Sequence, residues 1–177
     1  MRILVDMDGV VADFERGFLD SYRNAHPNSP FISLVDRTSF YIKDQYTKEL
    51  RGLVEGVYNT PGFYRNLPLI EGSVDALREM VLGGHTVYIC TTPLFSNPTC
   101  LQDKFDWMLE HFGKDLTKKM IITEDKTIIH ADILIDDRPE LTGVQAPSWE
   151  HVLYTQPYNS HVSLKRRLTW KDWKDII

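Results

Sequence analysis

The chain has 177 residues, 42% of them hydrophobic and 25% charged, which suits one globular domain with room for a sizeable insertion. Its formal net charge of −5, from 25 acidic and 20 basic residues, excludes a general nucleic-acid-binding surface, because such a surface needs an excess of basic residues. A phosphorylated substrate would therefore need a cation, or lysine and arginine side chains gathered locally, in order to bind.

Short apolar runs rich in β-branched residues predict the strands of a parallel sheet that is buried on both faces. In chain order these runs cover residues 2–7, 85–90, 120–123, 131–137 and 151–156. Helical patterns predict a helix at 74–82, a second at 101–112, and a short closing helix at 169–177. The alternation of strands and helices predicts an α/β fold with a doubly wound parallel sheet.

Glycines mark the ends of two of these helices. Gly83 and Gly84 follow the first helix, and Gly113 follows the second. In the second helix the spacing of apolar residues predicts one buried face, formed by Leu101, Phe105, Met108 and Phe112.

Residues 15–70 differ from the rest of the chain, because they combine helical periodicity with many aromatic residues and no convincing strand. They also separate the first two strands by far more than one crossover requires. We therefore predict a core formed by residues 1–14 and 71–177, with residues 15–70 inserted as a small helical cap. Phe18 and Tyr22, four positions apart, are expected to pack inside that cap.

Polar side chains stand at the ends of three predicted strands: Asp6 and Asp8, then Thr91 and Thr92, then Asp136 and Asp137. In a doubly wound sheet, ligands bind at the edge where the strands have their carboxyl ends. Lys126 lies shortly before the last of these three strands. We therefore expect the three strand ends and Lys126 to meet in one crevice.

The chemistry of this set is restrictive, because crowded carboxylates repel one another and raise one another's pKa. A hard divalent cation such as Mg²⁺ relieves the repulsion, since it prefers oxygen ligands. Asp6 could then attack phosphorus and form an aspartyl-phosphate, while Asp8 acts as general acid and later as general base. Thr91 and Lys126 would hold the phosphoryl oxygens.

Plainer interpretations of these residues are also open. Asp6 and Asp8 could cap backbone amides in a turn, although the pair at 136–137 repeats the theme at another strand end. Thr91 alone reads as a strand residue, and Lys126 alone reads as a surface lysine. The aromatic residues of the insertion could all be packing residues.

Four motifs carry a resemblance to a known family: DMDGVVADFERGF (6–18), YICTTP (88–93), TEDKTIIHADILIDDRPELTG (123–143) and PSWEHVLYT (147–155). Their residue types resemble those of phosphohydrolases of the haloacid dehalogenase (HAD) type. Their order and spacing, over essentially the whole chain, resemble the 5'(3')-deoxyribonucleotidases of both cytosolic and mitochondrial kinds. The resemblance implies a HAD-like, Rossmann-like core and dephosphorylation of deoxyribonucleoside monophosphates, with a preference for uracil and thymine bases.

The resemblance also implies roles for individual residues. Asp6 would be the nucleophile and Asp8 the acid and base. Mg²⁺ would be held by Asp6, the backbone carbonyl of Asp8 and Asp137, with Asp136 beside them. The phosphate would bind at Thr91, Thr92 and Lys126, and the nucleoside in an aromatic pocket formed by Phe14, Phe40, Tyr41 and Tyr64.

Two positions depart from the family pattern and put substrate choice in question. Tyr41 stands where the mitochondrial form has a tryptophan. Glu124 stands where the mammalian members have an arginine near the phosphate.

The expected partner is a small nucleotide, with no nucleic acid polymer and no membrane. The two cysteines show no disulfide or zinc spacing, and no signal segment precedes the first strand, which favours a cytoplasmic protein. A homodimer is expected by analogy with the resembling enzymes.

Two other functions compete with nucleotide hydrolysis. The first is hydrolysis of another small phosphorylated metabolite, such as a sugar phosphate. The second is nucleotide binding without catalysis, which would require the loss of an essential residue.

Overall fold

A computed structural model describes residues 1–177 and contains six β-strands: β1 (Arg2–Val5), β2 (Thr86–Thr91), β3 (Met120–Ile122), β4 (Ile133–Asp136), β5 (Glu150–Tyr154) and β6 (Arg167–Leu168). They form one sheet in the order β3-β2-β1-β4-β5-β6, and every neighbouring pair is parallel. The predicted α/β fold with a parallel sheet is confirmed. The two-residue strand β6 was not predicted, because so short a pairing leaves no pattern in the sequence.

The central strand β1 explains why the first apolar run is so hydrophobic. Ile3 lies opposite Val87 of β2 and Ile133 of β4, so β1 has a neighbour on each side. Ile3, Leu4 and Val5 are fully buried, as expected for a strand covered on both faces. This arrangement places the carboxyl ends of β1, β2 and β4 side by side.

Five α-helices accompany the sheet: α1 (Phe14–Ala25), α2 (Lys48–Tyr58), α3 (Ser73–Leu82), α4 (Cys100–Thr117) and α5 (Trp173–Ile176). Between β1 and α3 the chain forms α1, α2 and three short 3-10 helices, and no strand. Phe18 and Tyr22 are buried there and stack at 5.6 Å between ring centroids, so their predicted packing is confirmed. The division into core and cap stays a prediction. No helix is both long enough and apolar enough to span a bilayer.

The predicted buried face of α4 was half right, because Met108 is fully buried and Phe112 packs partly buried against the core. Leu101 and Phe105 are 44% and 45% exposed, whereas Cys100, Lys104 and Trp107 face inward and are buried. The indole N–H of Trp107 donates to a backbone carbonyl 2.7 Å away, and the Lys104 ammonium has polar partners at the sheet edge. Specific polar contacts therefore determine which face of this helix is buried, together with hydrophobicity.

The glycine at the predicted end of α4 breaks the helix without ending it. Gly113 has φ +74° and ψ 177°, outside the helical region, but helical residues resume and continue to Thr117. Glycine suits this position because a side chain is strained at such a φ value.

Candidate active site

A cavity of about 440 Å³ opens at the carboxyl edge of the sheet. Its wall includes the ends of β1, β2 and β4 together with residues from the helical segment between β1 and α3. All of the site residues predicted from the sequence line it: Asp6, Asp8, Phe14, Phe40, Tyr41, Tyr64, Thr91, Thr92, Lys126, Asp136 and Asp137. The expected convergence of three strand ends and Lys126 is thus observed.

Three carboxylates form a tight group in this cavity. Asp6, Asp136 and Asp137 are buried, and each offers an oxygen within 4.8 Å of the others. The backbone N–H of Asp6 donates to Ile135 O at 2.9 Å, which fixes β1 beside β4 at this edge. Burial raises the pKa of Asp137 well above its ordinary value, and the charges of Asp136 and Asp6 raise it further.

Gly9 allows the chain to pass close to this group. Its φ is +76°, a conformation that glycine adopts readily. A Cβ atom at this position would collide with the carboxylate of Asp137. The glycine of the DMDG sequence therefore makes room for a strand end that lies opposite it.

Lys126 lies between two of the carboxylates. Its ammonium nitrogen is 2.7 Å from Asp6 Oδ1 and 2.6 Å from Asp136 Oδ2. Burial alone would lower the pKa of Lys126, but the charges of Asp136 and Asp6 outweigh it, so the pKa is raised and the side chain is a cation.

The remaining carboxylate oxygens fit a divalent cation. Asp136 is fully engaged, because Oδ2 contacts Lys126 and Oδ1 accepts the backbone N–H of Arg138 at 2.9 Å. Asp6 uses only Oδ1, and Asp137 uses only Oδ2, which accepts the hydroxyl hydrogen of Tyr158. One oxygen of Asp6 and one of Asp137 are therefore free, and such hard anionic donors suit an ion that prefers oxygen.

A second cation, Lys104 of α4, was missed by the sequence analysis. Its ammonium nitrogen is 2.7 Å from Asp8 Oδ2, 2.8 Å from Thr91 Oγ1 and 2.9 Å from Thr92 O. Burial raises the pKa of Asp8, and the charge of Lys104 opposes that shift. The only signal in the sequence was the spacing of this lysine, four residues after Cys100 and three before Trp107, which places the three on one face of a helix.

The two threonines differ in their hydrogen bonds. Thr92 donates its hydroxyl hydrogen to Thr123 O at 3.0 Å. Thr91 accepts from Lys104 and donates to no protein atom. Thr91 is therefore free to donate to a ligand, and Thr92 offers its backbone or a hydroxyl that must first rotate.

Aromatic rings form the rest of the wall. Phe14 and Tyr64 lie 6.3 Å apart, and Phe40 and Tyr41 meet edge to face at 5.2 Å. Arg138 donates to the Tyr41 hydroxyl at 2.9 Å, and its guanidinium carbon is 5.4 Å from the centre of the Phe40 ring. The Arg138 side chain thus turns to the aromatic rings, and only its backbone N–H contacts a strand-end carboxylate.

Two residues after β5 also contribute and were not predicted. Tyr158 binds the Asp137 carboxylate, and the side-chain amide of Asn159 donates to Asp137 O and Tyr154 O, both at 2.8 Å. The strand-end rule that identified the other residues would have found them, because they follow a strand that neighbours β4.

Comparison with known proteins gives consistent results. The sequence profile described as 5' nucleotidase, deoxy (pyrimidine), cytosolic type C, matches residues 1–177. A Bordetella pertussis protein with the provisional name 5'(3')-deoxyribonucleotidase is 44% identical, over 100% of this chain and 95% of that protein. The human mitochondrial 5'(3')-deoxyribonucleotidase is 43% identical, over 100% of this chain and 82% of that protein.

Solved structures agree on the fold. A HAD family hydrolase from Deinococcus radiodurans, described with bound phosphate and sodium, superposes with a TM-score of 0.54 at 16% identity. The match covers 95% of this chain and 90% of that one. At this identity the likeness supports a HAD-type fold and does not indicate the substrate.

Proposed function

Since the chain belongs to the 5' nucleotidase, deoxy (pyrimidine), cytosolic type C family of phosphatases, we propose that it hydrolyses deoxyribonucleoside monophosphates with Mg²⁺ and through an aspartyl-phosphate. The observation that carries this proposal is the placement of the Asp6, Asp136 and Asp137 carboxylates in an aromatic-walled cavity. The volume of about 440 Å³ is within the usual range for small-molecule sites, roughly 300–1,000 Å³.

Asp6 is the proposed nucleophile. Its position is fixed by the backbone bond to Ile135, and Lys126 holds one of its carboxylate oxygens. One carboxylate oxygen can attack phosphorus and form the acyl-phosphate bond as the nucleoside oxygen leaves, while the other stays available to the cation. Mg²⁺, held by Asp6, the Asp8 carbonyl and Asp137 with Asp136 beside them, would offset the negative charge of the carboxylates and the phosphate.

Asp8 is the proposed acid and base. It lines the same cavity two residues after Asp6. Protonated, it would give its proton to the leaving oxygen, and as the carboxylate it would then take a proton from the water that hydrolyses the aspartyl-phosphate. The raised pKa that burial gives Asp8 favours the protonated form needed for the first step.

Thr91, Thr92 and Lys126 are the proposed phosphate ligands. A lysine ammonium has three N–H donors, and Lys126 uses two of them on Asp6 and Asp136. The third donor and the Thr91 hydroxyl hydrogen can bind phosphoryl oxygens as negative charge develops on them.

Phe14, Phe40, Tyr41 and Tyr64 are the proposed nucleoside pocket. Flat aromatic faces can stack on a planar base with few directional hydrogen bonds. Sugar phosphates would instead require many polar partners, so the lining favours nucleotides over another small phosphorylated metabolite. Asp6, Asp8, Lys126 and Asp137 are all present in one cavity. Nucleotide binding without catalysis is therefore the less favoured function.

The test is phosphate release from dUMP, dTMP, the matching ribonucleotides and a set of sugar phosphates at fixed Mg²⁺. We expect hydrolysis of dUMP and dTMP that stops when EDTA removes the metal. Preferential hydrolysis of a sugar phosphate would support the alternative substrate class. Tight dUMP binding without turnover would support the binding module.

We also propose that residues 15–70 act as a cap that closes over the bound nucleotide and excludes water. This predicts slower hydrogen exchange in that segment when BeF₃⁻ and Mg²⁺ occupy the phosphate site. Equal exchange with and without BeF₃⁻ would contradict it.

A cytoplasmic location and a homodimer complete the proposal. The two buried free cysteines are compatible with a reducing compartment, whereas relatives include a mitochondrial enzyme. Imaging of a fluorescent fusion would test the compartment, and light scattering of the purified protein would test the dimer.

A further inference from the structure

Lys104 is a buried cation that does not reach the cavity. Its side chain is 1% exposed, and it is absent from the residues that form the cavity wall. It therefore cannot touch a substrate directly in this conformation. Burying a lysine is costly unless the charge is paired and hydrogen-bonded, so its partners explain why it is there.

All three N–H donors of Lys104 are used. They bind Asp8 Oδ2, Thr91 Oγ1 and Thr92 O at 2.7, 2.8 and 2.9 Å. These acceptors lie at the carboxyl ends of two different strands, β1 and β2, and α4 supplies the ammonium that joins them. The first two belong to side chains that line the cavity.

The contacts leave one functional group free on each partner. With Asp8 Oδ2 held by Lys104, the other oxygen, Oδ1, is buried and has no protein partner. With Thr91 Oγ1 already accepting from Lys104, the Thr91 hydroxyl hydrogen must be donated in another direction. Both side chains are thus fixed in orientation by one ammonium group, and the Thr91 hydroxyl hydrogen remains to be donated.

We propose that Lys104 is a positioning residue, which orients the Asp8 carboxyl group toward the leaving oxygen and the Thr91 hydroxyl toward the phosphate. This inference rests on the proposed phosphatase activity and adds a residue outside the cavity to it. It requires no titration of Lys104, because the ammonium acts through fixed geometry.

The test compares single-turnover release of the leaving group, with enzyme in excess, for dUMP and p-nitrophenyl phosphate. Under these conditions the measured rate reports only the first chemical step, in which the leaving group departs. p-Nitrophenolate leaves without needing a proton, whereas the deoxyuridine oxygen needs one. Lys104→Met should slow release of deoxyuridine by on the order of 10²-fold, the cost of misplacing a reacting group by about 1 Å. The same change should slow release of p-nitrophenolate much less.

Matched variants separate positioning from folding. Lys114→Met removes an exposed lysine from the same helix and should change neither rate. Lys104→Gln keeps amide donors for Asp8 and should retain more of the dUMP rate than Lys104→Met. Thermal melting of each variant checks that the fold is intact.

If Lys104→Met is unstable, a double-mutant cycle with Asp8→Asn still measures whether Lys104 acts through Asp8. Asp8→Asn/Lys104→Met lacks the unpaired, half-buried carboxylate that would destabilise the single variant. If Lys104 acts through Asp8, Lys104→Met should cost much less in the Asp8→Asn background than in the wild type.

Each outcome discriminates between the claims. Equal losses on both substrates, or losses that simply multiply in the double variant, would overturn the positioning of Asp8 by Lys104 and leave the phosphatase proposal intact. Wild-type protein that releases neither leaving group would overturn the proposed function itself.

Discussion

Tyr158 donates its hydroxyl hydrogen to the carboxylate of Asp137, although the two residues lie 21 positions apart in the chain. The same tyrosine ring lies 5.6 Å from the guanidinium carbon of Arg37 and 5.9 Å from the centre of the Phe40 ring. A proposed metal ligand is therefore linked through one buried side chain to the helical segment between β1 and α3.

Replacing this tyrosine should weaken metal binding. Tyr158→Phe removes the hydrogen bond that orients Asp137, and loss of such a partner typically costs about 10–100-fold in metal affinity. Titration of Mg²⁺ against phosphatase activity measures the change. Tyr154→Phe, at a buried tyrosine outside the cavity wall, is the control, and an unchanged Mg²⁺ requirement in Tyr158→Phe would contradict the role of this bond.

The ion pair between Glu15 and Arg37 should matter for stability. Arg37 Nε is 2.6 Å from Glu15 Oε2, and both side chains are almost fully buried. Arg37→Met leaves a buried carboxylate without its partner and should lower the free energy of unfolding by about 3–5 kcal/mol, as measured by urea denaturation.

The double variant is the matched control for this pair. Glu15→Gln/Arg37→Met removes both charges and should be more stable than Arg37→Met alone. If the double variant lost more stability than the single one, the cost would lie in packing and not in the unpaired charge.

Glu124 should reduce the attraction of the site for phosphate. It is exposed at the cavity wall near the proposed phosphate ligands. Glu124→Arg should lower the KM for dUMP by about twofold to fivefold, the size expected of one exposed charge pair. Glu124→Gln should give a smaller decrease, and both effects should shrink at high salt. A KM that rises in Glu124→Arg would show that the carboxylate binds the substrate favourably.

The cysteines should be unreactive in the native protein. Burial raises the pKa of the Cys90 thiol to about 12, and burial also raises the pKa of Cys100. A raised pKa lowers the thiolate fraction at pH 8, and the thiolate is the reactive form. Ellman's reagent should therefore detect no thiol in the native protein and two after unfolding in urea. Rapid reaction of one thiol before unfolding would contradict this.

Much of the fold followed from the sequence because a buried parallel strand requires an unbroken apolar run. Five of the six strands have such runs, and the polar residues at the ends of three of them identified the Asp6, Asp136 and Asp137 carboxylate group of the cavity wall. These inferences needed only local pattern and the rule that parallel strands share a carboxyl edge.

The failures have a common physical cause. Lys104 and Tyr158 act through partners far away in the chain. Nothing in the local sequence marks Lys104 as a site residue, and Tyr158 would have been found only by applying the strand-end rule to β5 as well. On α4 the hydrophobic pattern predicted Leu101 and Phe105 as buried. Lys104 faces inward instead, because the half-buried Asp8 carboxylate and two further acceptors bind its ammonium. Tertiary contacts of this kind override local amphipathicity.

The most direct test of the chemistry is to trap the phosphorylated protein. Protein mixed with dUMP and Mg²⁺ is quenched in acid within one turnover, reduced with borohydride to convert an aspartyl-phosphate to homoserine, and mapped by mass spectrometry. We predict homoserine at position 6, and none in Asp6→Asn. Steady turnover of dUMP with no modified residue, or with homoserine at a different aspartate, would contradict the assignment of Asp6 as the nucleophile.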